Sequence, residues 1–224
     1  MLMAAIKIFL LFGRSGCGKG TQAKLLAEKY TLPVYGSGSL LRERAAKDDF
    51  SGRKLKEFLL RGVLAPTSLI YKEWANKFDV FKEDPSFVGM IIDGSPRKWI
   101  EAELLSQAFE WYEWPDSYCI LLDISRPEAE NRLAKRRICK SCKNIIPYTS
   151  ESKVLEKCDK CGGELGRRPD DTDEAIKERM EYFEKEVVPM IEYYRQRKQL
   201  IVVNGEQAID KVFADIVEAV ENKS

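Results

Sequence analysis

A glycine-rich loop lies between an apolar run and a helical pattern near the start of the chain. The apolar run IKIFLLF covers residues 6–12, and the loop GRSGCGKGT covers residues 13–21. Glycines let the backbone turn so that its N–H groups point inward, and the amino end of a following helix adds partial positive charge. Lys19 adds a full positive charge that can reach a transferred phosphate. A strand, a loop and a helix in this order predict a phosphate-binding site.

The loop departs from the common spacing GxxxxGK(S/T) at one position, because Gly20 lies between Lys19 and Thr21. A glycine-rich turn that carries a surface lysine is the alternative, and the strand before the loop and the helix after it argue against that alternative. Cys17 lies inside the loop, where we interpret it as a small space-filling residue and not as a nucleophile.

Four further apolar segments are bounded by turn residues or charges, and helical patterns separate them. They are LPVYG (32–36), FVGMIID (87–93), YCILLDI (118–124) and LIVVNG (200–205). Continuous apolar strands that alternate with helices predict a parallel sheet with helices on both faces, and thus an α/β fold. Residues 173–199 are predicted to form one long charged helix, which Pro189 should kink.

Composition narrows the possible functions. The 224 residues include 37 basic and 36 acidic side chains, so a net charge of +1 gives no bulk field for nucleic acid. No stretch approaches the roughly 18 apolar residues of a membrane span. The first apolar run has neither a basic leader nor a cleavage site, so we expect a strand and not a signal peptide. We therefore expect a cytoplasmic protein that does not act at a membrane. The chain has no histidine, so other residue types must supply any metal ligand or general base.

Two CxxC pairs, CKSC at 139–142 and CDKC at 158–161, are separated by residues 143–157. Two such turns can present four thiolates tetrahedrally, at the spacing of a zinc ribbon. The predicted Zn²⁺ ligands are Cys139, Cys142, Cys158 and Cys161. A closed four-thiolate site would stabilise the fold without taking part in catalysis. Disulfides, which are rare in the cytoplasm, and a reduced cluster are the alternatives. Cys119, in an apolar strand, is predicted to lie in the core.

Further short motifs follow the loop in a fixed order. They are GKGTQA (18–23), YGSGSLLRE (35–43), DGSPR (93–97), NRLAKRR (131–137), GRRPDDTDEAIKER (166–179) and NG (204–205). Most are weak alone, but together their order and spacing resemble those of adenylate kinases and, more broadly, of nucleoside monophosphate kinases.

The resemblance implies one phosphate-loop kinase domain over residues 1–224, with a five-stranded parallel sheet and helices on both faces. It also implies a monophosphate-binding lobe at about 36–68 and a zinc-bearing lid over ATP at about 137–166, in a monomeric enzyme. The implied reaction is Mg-ATP plus a nucleoside monophosphate, giving two diphosphates. Such a transfer needs positioning and charge at the phosphoryl oxygens and no covalent nucleophile, which suits a chain without histidine.

The resemblance also assigns roles to residues in these motifs. The predicted catalytic residues are Lys19, Arg97, Arg136, Arg168 and Arg179. The predicted ATP-binding residues are Gly13, Ser15, Gly16, Cys17, Gly18, Lys19, Gly20, Thr21, Arg132, Arg136 and Gln207. The predicted monophosphate-binding residues are Ser37, Gly38, Arg42, Gly94, Arg97, Glu101, Arg168 and Arg179. Asp93 is expected to hold Mg²⁺ through water, and Asp170 and Asp171 resemble lid-hinge acids that pair with basic residues on closure.

Three positions depart from the family pattern. Ser37-Gly38-Ser39 replaces the usual Thr-Gly-Asp, with loss of a carboxylate but with hydroxyls that can cap a helix. Ser95 replaces an aromatic residue, and Glu101 replaces a glutamine that reads adenine. A carboxylate accepts hydrogen bonds but cannot donate one to the base unless it is protonated.

Glu101 leaves the choice of acceptor open. AMP is the first expectation, GMP is the main alternative because guanine presents two donors, and pyrimidine or broad specificity is the third. Glu101 is alternatively a surface helix residue without a role in base reading, or is displaced by one position in the alignment. In a different class of function, a zinc ribbon beside the basic KRR (135–137) and GRR (166–168) could bind nucleic acid. That hypothesis leaves the phosphate loop and DGSPR unexplained.

Overall fold

A computed structural model describes residues 6–60, 65–114, 117–149, 152–168 and 171–223. Its centre is a five-stranded sheet. The strands of this sheet are β1 (Lys7–Phe12), β2 (Val34–Gly36), β3 (Gly89–Asp93), β4 (Ser117–Asp123) and β8 (Leu200–Asn204). They lie in the order β2-β3-β1-β4-β8, and each neighbouring pair is parallel. The prediction of an α/β fold with a five-stranded parallel core is confirmed.

The central strand β1 is buried on both of its faces. Ile8, Leu10 and Phe12 belong to one apolar cluster, whereas Phe9 and Leu11 belong to a second. Successive side chains of a strand point to opposite faces of the sheet, so the two clusters are the two cores that helices cover. The same double burial in β3 and β4 explains why the three inner strands are continuous apolar runs and do not alternate with polar residues.

Helices connect the strands and cover both faces of the sheet. They are α1 (Lys19–Tyr30), α2 (Ser37–Ala45), α3 (Phe50–Leu60), α4 (Thr67–Glu83), α5 (Trp99–Trp111), α6 (Arg126–Lys135), α7 (Asp173–Tyr182), α8 (Val188–Gln196) and α9 (Ile209–Glu221). The hydroxyls of Ser125 and Thr172 accept backbone N–H groups and so cap α6 and α7. In the described part of the chain, no helix combines the length and the apolar character that crossing a membrane requires.

A second, three-stranded antiparallel sheet forms between α6 and α7. It consists of β5 (Arg137–Cys139), β6 (Ile145–Ile146) and β7 (Leu165–Arg167), in the order β6-β5-β7. A short 3₁₀ turn, Ser152–Val154, lies in the long connection between β6 and β7. Apart from Arg167, these elements fall inside the insertion predicted at 137–166.

Helices α2 and α3 fall within the lobe predicted at 36–68. Leu41, Leu55 and Ala65 form a small apolar cluster there. The buried guanidinium of Arg44 lies 3.2 Å from the carboxylate of Glu73, which joins α2 to α4.

The long helix predicted at 173–199 is helical to Gln196 but changes its winding midway. Residues Phe183–Val187 form a π-helical turn between α7 and α8, in which Val188 N–H donates to the carbonyl oxygen of Phe183. Pro189 follows directly, and a proline has no N–H to donate to the carbonyl four residues earlier. The predicted irregularity is therefore present as a π turn just before the proline.

Candidate active site

The loop that follows β1 has the backbone conformation that its glycines allow. Gly13, Gly16 and Gly18 have φ values of +134°, +90° and +100°. A Cβ atom on Gly13 would lie 2.4 Å from the carbonyl oxygen of Leu122, so a larger residue does not fit there. Helix α1 begins directly after the loop, at Lys19. Backbone N–H groups and a helix amino end are thereby brought together at the carboxyl edge of the sheet.

Lys19 folds back over this loop. Its Nζ donates to the carbonyl oxygens of Gly13 at 2.7 Å and Arg14 at 3.0 Å, and lies 3.4 Å from Cys17 Sγ. These neutral partners hold the ammonium at the mouth of the loop without cancelling its charge. Cys17 is 3% exposed, and its sulfur fills the space beside Gly13.

A cavity of about 1740 Å³ opens above the loop, between the carboxyl edge of the parallel sheet and the small antiparallel sheet. Most of the predicted site residues line it. They are Gly13, Ser15, Gly16, Cys17, Gly18, Lys19, Gly20, Thr21, Asp93, Gly94, Arg97, Arg132, Arg136, Arg168, Arg179 and Gln207. Four predicted acceptor-binding residues do not line this cavity. They are Ser37, Gly38, Arg42 and Glu101.

Asp93 ends β3, next to the end of β1, and its side chain points towards the start of α1. A Cβ atom on Gly20 would lie 3.8 Å from Asp93 Oδ2. Among the described residues, no hydrogen bond or ion pair occupies this carboxylate. A carboxylate beside a phosphate-binding loop fits the oxygen ligands that Mg²⁺ prefers, directly or through water.

Arg136 and Arg179 share one buried carboxylate. Arg136 donates from Nε to Asp171 Oδ2 at 2.8 Å and from Nη2 to Oδ1 at 2.7 Å, and Arg179 donates from Nη1 to Oδ1 at 2.7 Å. Asp171 is 0% exposed. Burial opposes its ionisation, but the hydrogen bonds from the two guanidinium groups outweigh burial, so the pKa of Asp171 lies below its usual value. Asp170 lies outside the described residues.

Arg132 and Gln207 lie at the end of the cavity near β8. Arg132 donates to Glu128 Oε1 at 2.6 Å and to the carbonyl oxygen of Gly205 at 3.0 Å. Gln207 donates to Asp215 at 2.8 Å. These contacts bring α6, α9 and the loop after β8 together around one end of the cavity.

On the acceptor side, one carbonyl oxygen joins two elements of the predicted site. The oxygen of Gly94 accepts from Ser37 Oγ and from Arg97 Nε, both at 2.8 Å. Arg42 lies close to Gly38, where an added Cβ would be 3.2 Å from Arg42 Nη1. The expectation that Ser37 and Ser39 cap α2 is wrong, because both hydroxyls donate to carbonyl oxygens. Ser39 donates to Gly36 at 2.7 Å, and α2 has Gly36 at its N-cap position.

Glu101 is buried and hydrogen-bonded. It is 3% exposed, its Oε2 accepts from the backbone N–H of Arg97 at 2.8 Å, and its Oε1 accepts from the hydroxyl of Ser95. Ser95 in turn accepts from Trp74 Nε1 at 3.2 Å. The alternative of a surface helix residue is therefore wrong. The helical spacing of Glu101, Leu105 and Ala108 is the sequence signal that predicts this burial.

Two residues at the site were missed from the sequence. The guanidinium of Arg14 lies 4.4 Å from the ring centre of Phe183 and donates to the Ile124 carbonyl at 2.9 Å, which ties the phosphate loop to the π turn. Tyr182 lines the cavity, and burial raises its pKa to about 12. The phosphate-loop motif leaves position 14 unspecified, whereas Tyr182 lies three residues after Arg179 and so on the same helical face.

The four predicted metal ligands come together in the small sheet. The Sγ atoms of Cys139, Cys142, Cys158 and Cys161 all lie within 4.8 Å of one another. The closest pairs are Cys139–Cys161 at 3.5 Å and Cys142–Cys158 at 3.6 Å, and no disulfide joins them. Zn–S bonds of about 2.3 Å in a tetrahedron separate the sulfurs by about 3.8 Å, so the cluster fits a zinc ion.

The cluster also has the electrostatics of a site that needs a cation. The backbone N–H of Cys142 lowers the pKa of the Cys139 thiol to about 6. The N–H of Asn144 favours the Cys142 thiolate, but the neighbouring thiols, Cys161 above all, and burial together outweigh it and raise the pKa of Cys142 to about 12. Four thiolates at these distances repel one another, and a bound divalent cation removes that repulsion.

A phosphate-binding loop after the central strand, a carboxylate beside it and arginines around one cavity define a phosphate-loop phosphotransferase. Comparison of the sequence with known protein families identifies which family of phosphotransferases this is. The family model described as adenylate kinase matches residues 11–199. The chain belongs to the adenylate kinase family.

Curated relatives match over nearly the whole chain. A protein of Thermodesulfovibrio yellowstonii is 38% identical over 96% of this chain and 99% of its own length. A protein of Chlamydia trachomatis is 36% identical over 94% of this chain and 88% of its own length. A protein of Methanocella arvoryzae is 36% identical over 95% of this chain and 97% of its own length. All three carry the name adenylate kinase.

Proposed function

We propose that this protein transfers the γ-phosphoryl group of Mg-ATP to AMP, giving two molecules of ADP. The observation that carries the proposal is the convergence of Lys19, Asp93 and four arginines on one cavity at the carboxyl edge of the sheet. The arginines are Arg97, Arg136, Arg168 and Arg179. The names of the relatives support the nucleotide pair.

The chain's own groups perform the transfer by positioning and by electrostatic stabilisation. The N–H groups of the phosphate loop and the ammonium of Lys19 hold the donor's β- and γ-phosphates. Arg136, Arg168 and Arg179 place guanidinium donors on the oxygens of the transferred group, and Arg97 holds the acceptor phosphate in line. Asp93 would hold Mg²⁺ through water, and the bound ion would supply positive charge for the donor phosphates. No covalent intermediate with the protein is required.

AMP is proposed as the acceptor over GMP. The argument for GMP requires a Glu101 carboxylate that faces the base, and both oxygens of this carboxylate already accept hydrogen bonds inside the protein. Pyrimidine acceptors and nucleic-acid binding have no observation in their favour. We place the acceptor's nucleoside beside α2, near Ser37 and Gly38, its phosphate between Arg42 and Arg97, and the donor's base near Arg132 and Gln207.

The architecture that goes with this function is one domain over residues 1–224 with two mobile parts. We propose residues 36–68 as the monophosphate-binding lobe and 137–166 as a lid that closes over ATP. Closure of the lid would bring its arginines onto the substrate. It would also exclude water, which otherwise accepts the phosphoryl group. A monomeric state and a cytoplasmic location stay predictions.

The test of function is a coupled diphosphate assay with ATP and each of AMP, GMP, CMP and UMP, with a Mg²⁺-free control. We expect transfer to AMP that depends on Mg²⁺. Lys19→Ala should lower turnover at least about 100-fold, because a charge is lost from the transition state. Lys29→Ala, on the exposed face of the same helix, is the matched control and should keep full turnover. A wild-type protein that phosphorylates none of the four acceptors contradicts the proposal.

We also propose that the four cysteines hold one structural Zn²⁺. The purified protein should contain about one equivalent of zinc, and Cys142→Ser should lose the metal and lower the melting temperature by at least about 5 °C, because the ion binds the folded state alone. Turnover at 25 °C should change less, since a closed site takes no part in the chemistry. Ser141→Ala, between two of the ligands, is the control. A metal-free protein of equal stability would overturn this assignment.

A further inference from the structure

A buried chain of hydrogen bonds runs through the turn before α5. Trp74 Nε1 donates to Ser95 Oγ at 3.2 Å, the Ser95 hydroxyl donates to Glu101 Oε1, and Arg97 N–H donates to Glu101 Oε2 at 2.8 Å. Trp74 and Ser95 are 0% exposed and Glu101 is 3% exposed. Ser95 and Glu101, which we call the Ser95–Glu101 pair, are two of the three positions at which the chain departs from its family's pattern.

The direction of every bond in this chain is fixed. A serine hydroxyl has one proton and two lone pairs. One lone pair of Ser95 accepts from the indole N–H of Trp74, and the Glu101 carboxylate can only accept, so the hydroxyl proton goes to Glu101. The backbone N–H of Arg97 can only donate. Residue 101 must therefore accept on both of its terminal atoms, which a carboxylate does and an amide does not.

The pair acts on the arginine through its backbone. Glu101 lies in the first turn of α5 and binds the N–H of the residue that carries the guanidinium. The side chain of Arg97 is then directed by Nε to the carbonyl oxygen of Gly94, which also accepts the hydroxyl of Ser37 on α2. A displaced turn would move Arg97 relative to both the cavity and the lobe.

We propose that Glu101 is a positioning residue that, with Ser95, holds Arg97 for the acceptor phosphate and does not read the acceptor's base. The inference rests on the proposed function, since it assigns Arg97 to that phosphate. Every nucleoside monophosphate has the same phosphate group. Loss of the Ser95–Glu101 pair must therefore lower kcat/KM for all acceptors by a common factor. Loss of a residue that reads the base would instead change the ratio of kcat/KM between acceptors.

Glu101→Gln tests this distinction. Its amide oxygen can accept from Arg97 N–H, but its NH₂ group then faces the Ser95 hydroxyl, whose proton is left without an acceptor. We expect KM for AMP and for GMP to rise by the same factor of about 10, as for the loss of a buried hydrogen bond to a charged group. The ratio of kcat/KM between AMP and GMP should stay within about twofold of the wild-type ratio, while KM for ATP stays constant.

A double substitution removes the conflict that the amide creates. In a Ser95→Ala background no hydroxyl proton needs an acceptor, so adding Glu101→Gln should raise KM for AMP by about threefold or less, a non-additive result for contacting residues. Ser95→Ala alone should raise KM for both acceptors equally. If Glu101→Gln does not fold, the Ser95→Ala variant still tests the proposal, because it breaks the same chain of hydrogen bonds. Glu110→Gln, exposed on the same helix, is the matched control and should match the wild type.

The outcomes separate the two proposals. An active wild type whose Glu101→Gln variant shifts the AMP-to-GMP ratio more than about tenfold would show that residue 101 reads the base, and the positioning role would be overturned. Unchanged constants for every acceptor in both Glu101→Gln and Ser95→Ala also overturn it. A wild type that transfers phosphate to no acceptor instead refutes the proposed function on which the inference stands.

Discussion

The two sides of the cavity hold their arginines in different ways. On the acceptor side, Arg97 is exposed and donates to a neutral carbonyl oxygen. On the lid side, Arg136 and Arg179 both donate to the carboxylate of Asp171, which is 0% exposed. The first arginine keeps its full charge for an incoming anion, whereas the other two share theirs with an anion that is already part of the protein.

This difference separates two ways to prepare a phosphate site. A neutral partner directs the guanidinium weakly and leaves the positive field intact. A buried carboxylate fixes the guanidinium firmly but offsets part of its charge. Arg136 uses Nε and Nη2 for Asp171, and a guanidinium has further N–H groups on Nη1 that can bind a phosphate while the pair stays intact. Asp171 therefore contributes to stability as well as to alignment, and Gly94 contributes mainly to alignment.

The largest effect is expected for Arg97→Met, which tests the acceptor side. Turnover with AMP should fall by about 1000-fold, because a charge that binds the acceptor phosphate is lost. The free energy of unfolding should change by less than about 0.5 kcal/mol, since the side chain is exposed. Steady-state kinetics and urea denaturation measure the two quantities. A large loss of stability would erase the contrast between the two sides.

The second-largest effect is a loss of stability, expected for Asp171→Asn on the lid side. Removing the carboxylate leaves the half-buried guanidinium of Arg136 without the anion that it contacts through Nε and Nη2, so the free energy of unfolding should fall by about 3 kcal/mol. Urea denaturation measures the change. Asp173→Asn removes an exposed partner of Arg167 and should cost less than about 1 kcal/mol. Equal costs for the two variants would show that burial does not strengthen the Asp171 pair.

The smallest and most specific effect is in the pH dependence of the same two proteins. The pKa of Asp171 in the folded state lies below its usual value of 3.8, so its contribution to stability is complete above that value and is lost as the pH falls through the folded pKa. The stability difference between wild type and Asp171→Asn should stay constant from pH 7 to pH 5. It should shrink below pH 3.8, and a difference that already shrinks near pH 6 would point to another group.

Much of the fold and of the donor site follows from short stretches of sequence. Five apolar runs predict the five parallel strands, and the signal is strongest for β1, β3 and β4 because burial on both faces demands continuous apolar residues. The glycines of the phosphate loop predict its backbone because few other residues adopt its positive φ values. The CxxC spacing predicts which cysteines meet, because each pair lies on one tight turn.

The acceptor side could not be predicted in the same way, because its contacts join residues from distant segments. Ser37 and Gly94 meet across two elements, and Trp74 reaches Ser95 from α4. A capping rule applied to Ser37 fails since the hydroxyl has a nearer carbonyl to bind. A base-reading role for Glu101 followed from its place in a motif, but its side chain is buried because the face of α5 that it shares with Leu105 packs into the core.

The π turn at Phe183–Val187 has a consequence for how this chain can vary. Ile176 and Met180 before the turn pack in one core, and Met190 and Ile191 after it pack in the other. Each residue of an α-helix rotates the following face by about 100°. A one-residue deletion here would therefore turn α8 away from its core or Arg179 away from the cavity. Insertions and deletions among relatives should avoid this segment and collect in the loops between elements.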